Sequence, residues 1–128
     1  MALNVLVVDD SAVMRKMIIR TLQLSGLPIG EVHEAGNGAE GLDQMDRHWI
    51  DLALVDLNMP VMSGEEMIER LRERTETADV PVVVVSTDGS ETRLARIRPK
   101  VAGFVHKPFT PEQLGEAITK VVGELGDA

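Results

Sequence analysis

Cysteine is absent from the 128 residues, which removes disulfides, thiolate metal sites and cysteine nucleophiles together and leaves packing alone to hold the core. Aromatic residues are scarce: two Phe, one Trp and no Tyr offer few platforms for stacking nucleobases. Basic residues are outnumbered, 13 Lys and Arg against 21 Asp and Glu, for a formal net charge of −8. Nonspecific nucleic-acid binding, which needs cations to neutralise phosphates, is therefore disfavoured. No apolar run approaches the roughly 20 residues that span a bilayer, so no membrane association is expected. Met1-Ala2-Leu3-Asn4-Val5 leads straight into an apolar strand without a basic region or small-residue cleavage site, and a cytoplasmic location is expected.

What is present is the composition of a globular chain, 44% hydrophobic and 27% charged. Its length suits one domain, 1–128, with one site and no separate output domain. Apolar runs of strand length alternate with segments of helical period, the pattern of βα units around a mostly parallel sheet. Val5-Leu6-Val7-Val8, Leu52-Ala53-Leu54-Val55 and Val82-Val83-Val84-Val85 are apolar throughout, as strands covered on both faces are. Glu31-Val32-His33-Glu34-Ala35 alternates, and Gly103-Phe104-Val105-His106 is short with a polar end, so both read as edges. With the first, third and fourth strands central and right-handed crossovers, the order becomes 2-1-3-4-5. This is a flavodoxin-like doubly wound α/β fold, (βα)5, with helices on both faces.

Helix boundaries are punctuated. Thr110-Pro111-Glu112-Gln113 carries a capping-box pair and a proline at the first helical position, followed by an inward face of Leu114, Ala117, Ile118, Val121, Val122 and Leu125. Ser11 is placed to cap the first helix, whose inward stripe is expected to hold Met14, Met17, Ile18 and Leu22. Helices are expected near 38–47 and 64–74. The fourth, from Ser90 to Ile97, has few apolar residues before Pro99 stops it and should be short. Residues 123–128 read as a frayed end.

In open α/β sheets ligands bind beyond the carboxyl ends of the strands, where the order reverses. There the first strand ends in Asp9-Asp10, the third in Asp56, the fourth in Ser86-Thr87 and the fifth in Lys107-Pro108. Carboxylates gathered at one rim repel by up to about 4 kcal/mol per pair at 4 Å and an effective dielectric near 20. Lys107 offsets part of this, and an oxygen-ligated Mg²⁺, which takes one or two carboxylates and shares phosphate oxygens, fits the remainder. A carboxylate beside a metal and a lysine is equipped to attack phosphorus. Asp56 would be the nucleophile, with Asp10 and the main-chain carbonyl of Asn58 on Mg²⁺. Asp9 would support the metal directly or through water, and Lys107 and the Ser86 hydroxyl would hold phosphoryl oxygens.

These residues are also where the chain resembles the response-regulator receiver family, stand-alone CheY-like members in particular. The resemblance rests on Val7-Val8-Asp9-Asp10-Ser11, Val55-Asp56-Leu57-Asn58-Met59-Pro60, Met62-Ser63-Gly64, Ser86 and Lys107-Pro108-Phe109, in order and at family spacing. It implies a phosphorylation switch of a two-component phosphorelay, Asp56 taking a phosphoryl group from a histidine kinase, possible use in chemotaxis, and hydrolysis of the acyl phosphate by the protein itself. It implies a cis peptide at Lys107-Pro108, movement of Ser86 toward the phosphoryl group and inward rotation of the switch residue Phe104. A downstream protein target would then read the face made by the fourth helix, fifth strand and fifth helix. The protein itself would be a monomer or weak dimer.

Ile97-Arg98-Pro99-Lys100-Val101-Ala102 departs from the family's small-residue segment, so the output face is the part least transferable. Asn58 and Asp88 stand where the family tunes dephosphorylation. Arg93, Arg96, Arg98 and Lys100 form a basic stretch that reads as a solvated face or a dock for an acidic partner. His33, His48 and His106 lack metal-ligand spacing and read as surface or edge residues, and the methionines at 14, 17, 45 and 67 as fillers of core gaps. Two other functional classes are open. A Mg²⁺-dependent phosphohydrolase would use the same aspartate, but Asn58 replaces its second Asp and no cap insertion exists. A phosphorylation-independent scaffold would not need the intact residue set.

Overall fold

The computed structural model describes residues 2–126. Five parallel strands, β1 (Leu3–Val8), β2 (Ile29–Ala35), β3 (Leu52–Val55), β4 (Val82–Ser86) and β5 (Gly103–His106), form one sheet in the order β2-β1-β3-β4-β5. The intervening helices are α1 (Ala12–Leu24), α2 (Gly38–Arg47), α3 (Gly64–Glu73), α4 (Glu91–Ile97) and α5 (Pro111–Gly126). The expected order and the edge positions of β2 and β5 are both found. Among the described residues no helix is long and apolar enough to cross a membrane.

The apolar strands split their side chains between two cores because successive residues of a strand point to opposite faces. Leu6, Val8, Ala53, Val55, Val82 and Val84 pack against α2, α3 and α4. Val5, Val7, Leu52, Leu54, Val83 and Val85 pack against Ile18 and Leu22 of α1 and Leu114, Ile118 and Val121 of α5. Every one of these strand residues is buried, which accounts for runs without polar alternation.

The helix caps are as read. Ser11 Oγ accepts the Met14 N–H at 3.2 Å. At α5 the capping box closes both ways, Gln113 N–H to Thr110 Oγ1 at 3.1 Å and Thr110 N–H to Gln113 Oε1 at 2.9 Å. Two expectations are corrected. Met17 is exposed: neighbouring residues on a helix lie about 100° apart, and the α1 stripe centres on Ile18, which turns Met17 to its flank. Residues 123–126 continue α5; Asp127 and Ala128 lie outside the described residues, as does the side chain of Leu125.

The Pro99 segment is accommodated without lengthening α4. Arg98–Lys100 form a 3-10 turn directly after it, and Arg72 of α3 anchors that turn. Its guanidinium donates to the carbonyls of Lys100 at 2.9 Å, Ala78 at 3.0 Å and Val80 at 2.7 Å, satisfying carbonyls that leave the regular ladders on both sides of β4.

The β3–α3 connection contains Val61 at φ 68°, a left-handed conformation that costs a non-glycine residue roughly 1–2 kcal/mol and is rare for β-branched side chains. Its side chain is 84% exposed, so burial returns nothing. Val61→Asn should therefore stabilise the fold by about 1 kcal/mol, since Asn tolerates this region; an unchanged or lower melting temperature would contradict the strain.

Candidate functional site

Each polar group at the rim is placed by the strand that precedes it, and the ladders extend to hold its main chain. The Asp9 N–H donates to the Ala35 carbonyl at 3.0 Å, the Asp56 N–H to Val8 at 2.9 Å and the Lys107 N–H to Ser86 at 2.9 Å. Asp9, Asp56 and Ser86 are buried and Asp10 is exposed at the mouth. The Lys107-Pro108 peptide is cis. The small residue at position 64 is a steric requirement: a Cβ there would fall inside the van der Waals envelope of the Asp56 carbonyl oxygen. Because α3 starts against that carbonyl, with the Gly64 N–H on Leu57 O at 2.9 Å, only glycine lets the helix begin there.

Carboxylate oxygens of Asp9, Asp10 and Asp56 lie within 4.8 Å of one another. At that spacing each ionised pair repels by about 3 kcal/mol for an effective dielectric near 20. Lys107 provides the counter-charge, its Nζ donating to Asp9 Oδ2 at 2.7 Å and lying 3.4 Å from Asp56 Oδ2. The other oxygen of Asp9 accepts the Ser11 N–H at 2.9 Å, and Asp56 Oδ1 accepts the Leu57 N–H at 2.8 Å. Burial pushes the Asp56 carboxyl above its ordinary pKa; Lys107 opposes this and the neighbouring charge of Asp9 adds to it. The three carboxylates and one lysine carry a formal −3 + 1 = −2, the charge that one divalent cation cancels. All donors are hard oxygens, which suits Mg²⁺.

The expected partners of Asp56 are brought to the same rim. Ser86 Oγ accepts the Asp88 N–H at 3.1 Å, which leaves its own proton to donate elsewhere. No hydrogen bond among the described residues uses the main-chain carbonyl of Asn58. Phe104, beside Val84 in the β5–β4 register, is half-buried against the α2–α3–α4 core, and the Arg98 guanidinium sits 5.3 Å from its ring centroid. Its packing role is thus present, with a cation over the exposed side.

Arg93 was not legible as a site residue. It donates to Asn58 Oδ1 at 2.6 Å, Asp88 Oδ2 at 2.7 Å and Glu65 Oε2 at 2.9 Å. Burial works against its charge, but the carboxylates of Asp88 and Glu65 outweigh it and raise its pKa, while Asp88 is lowered, first by the Ser90 N–H and then by Arg93. A residue three after the cap Ser90 leans back toward the helix start, the one signal in the sequence that aims it at this rim. Of the basic stretch, Arg93 is drawn into this network, whereas Arg96 and Arg98 are exposed on the surface, Arg96 lying 3.6 Å from Glu65 and Lys100 3.6 Å from Glu69.

His33 and His48 keep the surface or edge role read for them, with a contact added. Glu31, His33 and His48 gather from β2 and the end of α2 with ligand atoms within 4.8 Å of one another, which spacing along the chain does not reveal. The imidazoles are stacked, centroids 3.7 Å apart and planes at 14°. Lone pairs lying in nearly parallel planes do not converge on one ion, so the pair is an edge packing contact, as the edge reading has it.

A family model described as the response regulator receiver domain matches residues 5–119. The chain belongs to this receiver family. The receiver is 33% identical over 123 residues to a chemotaxis protein CheY homolog of Campylobacter jejuni, covering 94% of this chain and 93% of the relative. It is 32% identical to chemotaxis protein CheY1 of Helicobacter pylori, covering 94% and 98%. The solved structure of chemotaxis response regulator CheY4 of Vibrio cholerae superposes with a TM-score of 0.84 at 32% identity, over 94% of this chain and 99% of that one. The receiver is accordingly a phosphorylation-activated switch of two-component signalling.

A raised folded-state pKa adds stability below the unfolded value and loses it as pH rises through the folded one. Ionised Asp56 thus costs the receiver stability at neutral pH. In metal-free buffer Asp56→Asn should melt above wild type at neutral pH, and the gap should close as pH falls below the ordinary carboxylate range; melts across pH that show a constant gap, or none, would contradict the burial effect.

Proposed function

We propose that Asp56 is the phosphoacceptor and that the receiver catalyses both its loading and its release. The observation that carries this reading is a buried carboxylate held between a lysine and two further carboxylates at the strand ends. An Asp56 oxygen attacks the phosphorus of a histidine kinase's phosphohistidine; the P–N bond breaks, an acyl phosphate forms and the imidazole takes up a proton. Hydrolysis reverses the gain: a water oxygen attacks phosphorus, the P–O bond to Asp56 breaks and inorganic phosphate leaves.

The residues provide alignment and charge, which is most of what phosphoryl transfer requires. Lys107, already shared between Asp9 and Asp56, binds a phosphoryl oxygen and keeps it aligned. Ser86 donates its free proton to another. Asp10, Asp56 and the Asn58 carbonyl would hold Mg²⁺, with Asp9 direct or through water. The bound ion would neutralise phosphoryl oxygens as charge shifts between the attacking and leaving groups.

Output follows from the same geometry. Movement of Ser86 toward the phosphoryl group makes room for Phe104 to turn inward, away from Arg98, and the face of α4, β5 and α5 changes shape for a downstream protein. Names of the CheY relatives support chemotaxis as the pathway, in the cytoplasm.

Acetyl phosphate with Mg²⁺ should retard wild-type protein on a phosphate-affinity gel and leave Asp56→Asn unmoved. Lys107→Ala should lose most of the signal. Equal retardation of wild type and Asp56→Asn would overturn the assignment.

A further inference from the structure

Arg93 joins segments that the phosphotransfer chemistry itself does not connect. Its side chain is 19% exposed, and its acceptors lie on α3 (Glu65), the β3–α3 loop (Asn58, with the Leu57 carbonyl at 3.4 Å) and the β4–α4 loop (Asp88). Leu57 and Asn58 directly follow Asp56, and Asp88 lies two residues beyond Ser86. One nitrogen, Nη1, binds both the Asn58 and the Asp88 side chains, so the guanidinium bridges the two loops that flank Asp56 on the β4 side.

We propose that Arg93 is a positioning residue, a clasp that holds Asn58 and Asp88 to each other and thereby sets the lifetime of the aspartyl phosphate. The inference rests on the reading of Asp56 as phosphoacceptor. Hydrolysis needs a water roughly in line with the bond from phosphorus to the Asp56 oxygen, so this water enters from the side facing solvent, past the loop residues. Asn58, two residues beyond Asp56, and Asp88, two beyond Ser86, carry polar side chains on those loops that can hydrogen-bond and orient it. While Arg93 occupies Asn58 Oδ1 and Asp88 Oδ2, those oxygens are directed at the guanidinium and away from an incoming water.

The proposal gives Glu65 a different part from Asn58 and Asp88. Glu65 anchors Nε from the α3 side and does not hold the loop oxygens. Losing it loosens the attachment of α4 without freeing the two groups that orient water. Purely mechanical anchoring of α4 by Arg93 would instead make the loss of either residue equivalent.

The test is the first-order loss of phosphate after wild type, Arg93→Met, Arg93→Lys and Glu65→Gln are loaded with acetyl phosphate and Mg²⁺ and the donor is removed. Arg93→Met should lose phosphate roughly three- to tenfold faster, a small part of the about 10²- to 10⁴-fold that a well-placed base supplies. Arg93→Lys, which keeps the charge but not the fork, should fall between, and Glu65→Gln should stay near wild type. In an Asn58→Ala background, where the restrained group is gone, Arg93→Met should add less. Unchanged or slower decay in Arg93→Met, or equal acceleration in Glu65→Gln, would overturn the clasp while leaving Asp56 as acceptor. Failure of wild type itself to load would overturn the phosphoacceptor reading as well.

Discussion

Like-charge repulsion among Asp9, Asp10 and Asp56 is the constraint on which the rest of this protein depends. A chain that brings carboxylate oxygens within 4.8 Å of one another must compensate them, and the fold does so incompletely. Lys107 reaches two of the three, and its side chain is itself largely removed from water, where its attraction is screened little. The remaining charge suits the site to the proposed cation and, through it, to phosphate. A fully neutralised cluster would be a more stable structure and a poorer switch.

The parallel sheet makes this arrangement available. Strands buried on both faces can end abruptly in polar residues because each end is pinned by the neighbouring ladder, Val8 to Asp56 and Ser86 to Lys107. The side chains that follow are held by rigid elements, which suits chemistry that relies on alignment. The glycine at 64, against the Asp56 carbonyl, lets α3 start close enough to fix the β3–α3 loop. The left-handed Val61 in that loop shows that its path is imposed by the surroundings and not by local preference.

Much of this was legible in the chain. Uninterrupted valine and leucine runs mark the central strands because both sheet faces are covered, and the capping pairs at Ser11 and Thr110 mark helix starts because unsatisfied N–H groups need partners. The acid pair, Asp56, Ser86 and Lys107 were readable as strand-end residues, since the strand order alone sends those ends to one rim. Side-chain reach was not readable. Arg93 looked like one member of a basic stretch, and its role depends on acceptors up to 36 residues away in the chain. The meeting of His33 and His48 depends in the same way on two elements coming together, and Met17, one step around α1 from buried Ile18, faces solvent for a reason that apolar spacing does not resolve.

A divalent cation would complete the charge balance at the three aspartates. The most direct test is thermal melting of the metal-free protein titrated with Mg²⁺, beside Asp10→Asn and Asp56→Asn. A ligand that binds only the folded state raises stability as its concentration passes Kd. Wild type should show a saturable rise in Tm that shrinks in both variants, each of which removes a charge and a candidate ligand. A wild-type Tm indifferent to Mg²⁺, or an equal rise in all three proteins, would contradict it.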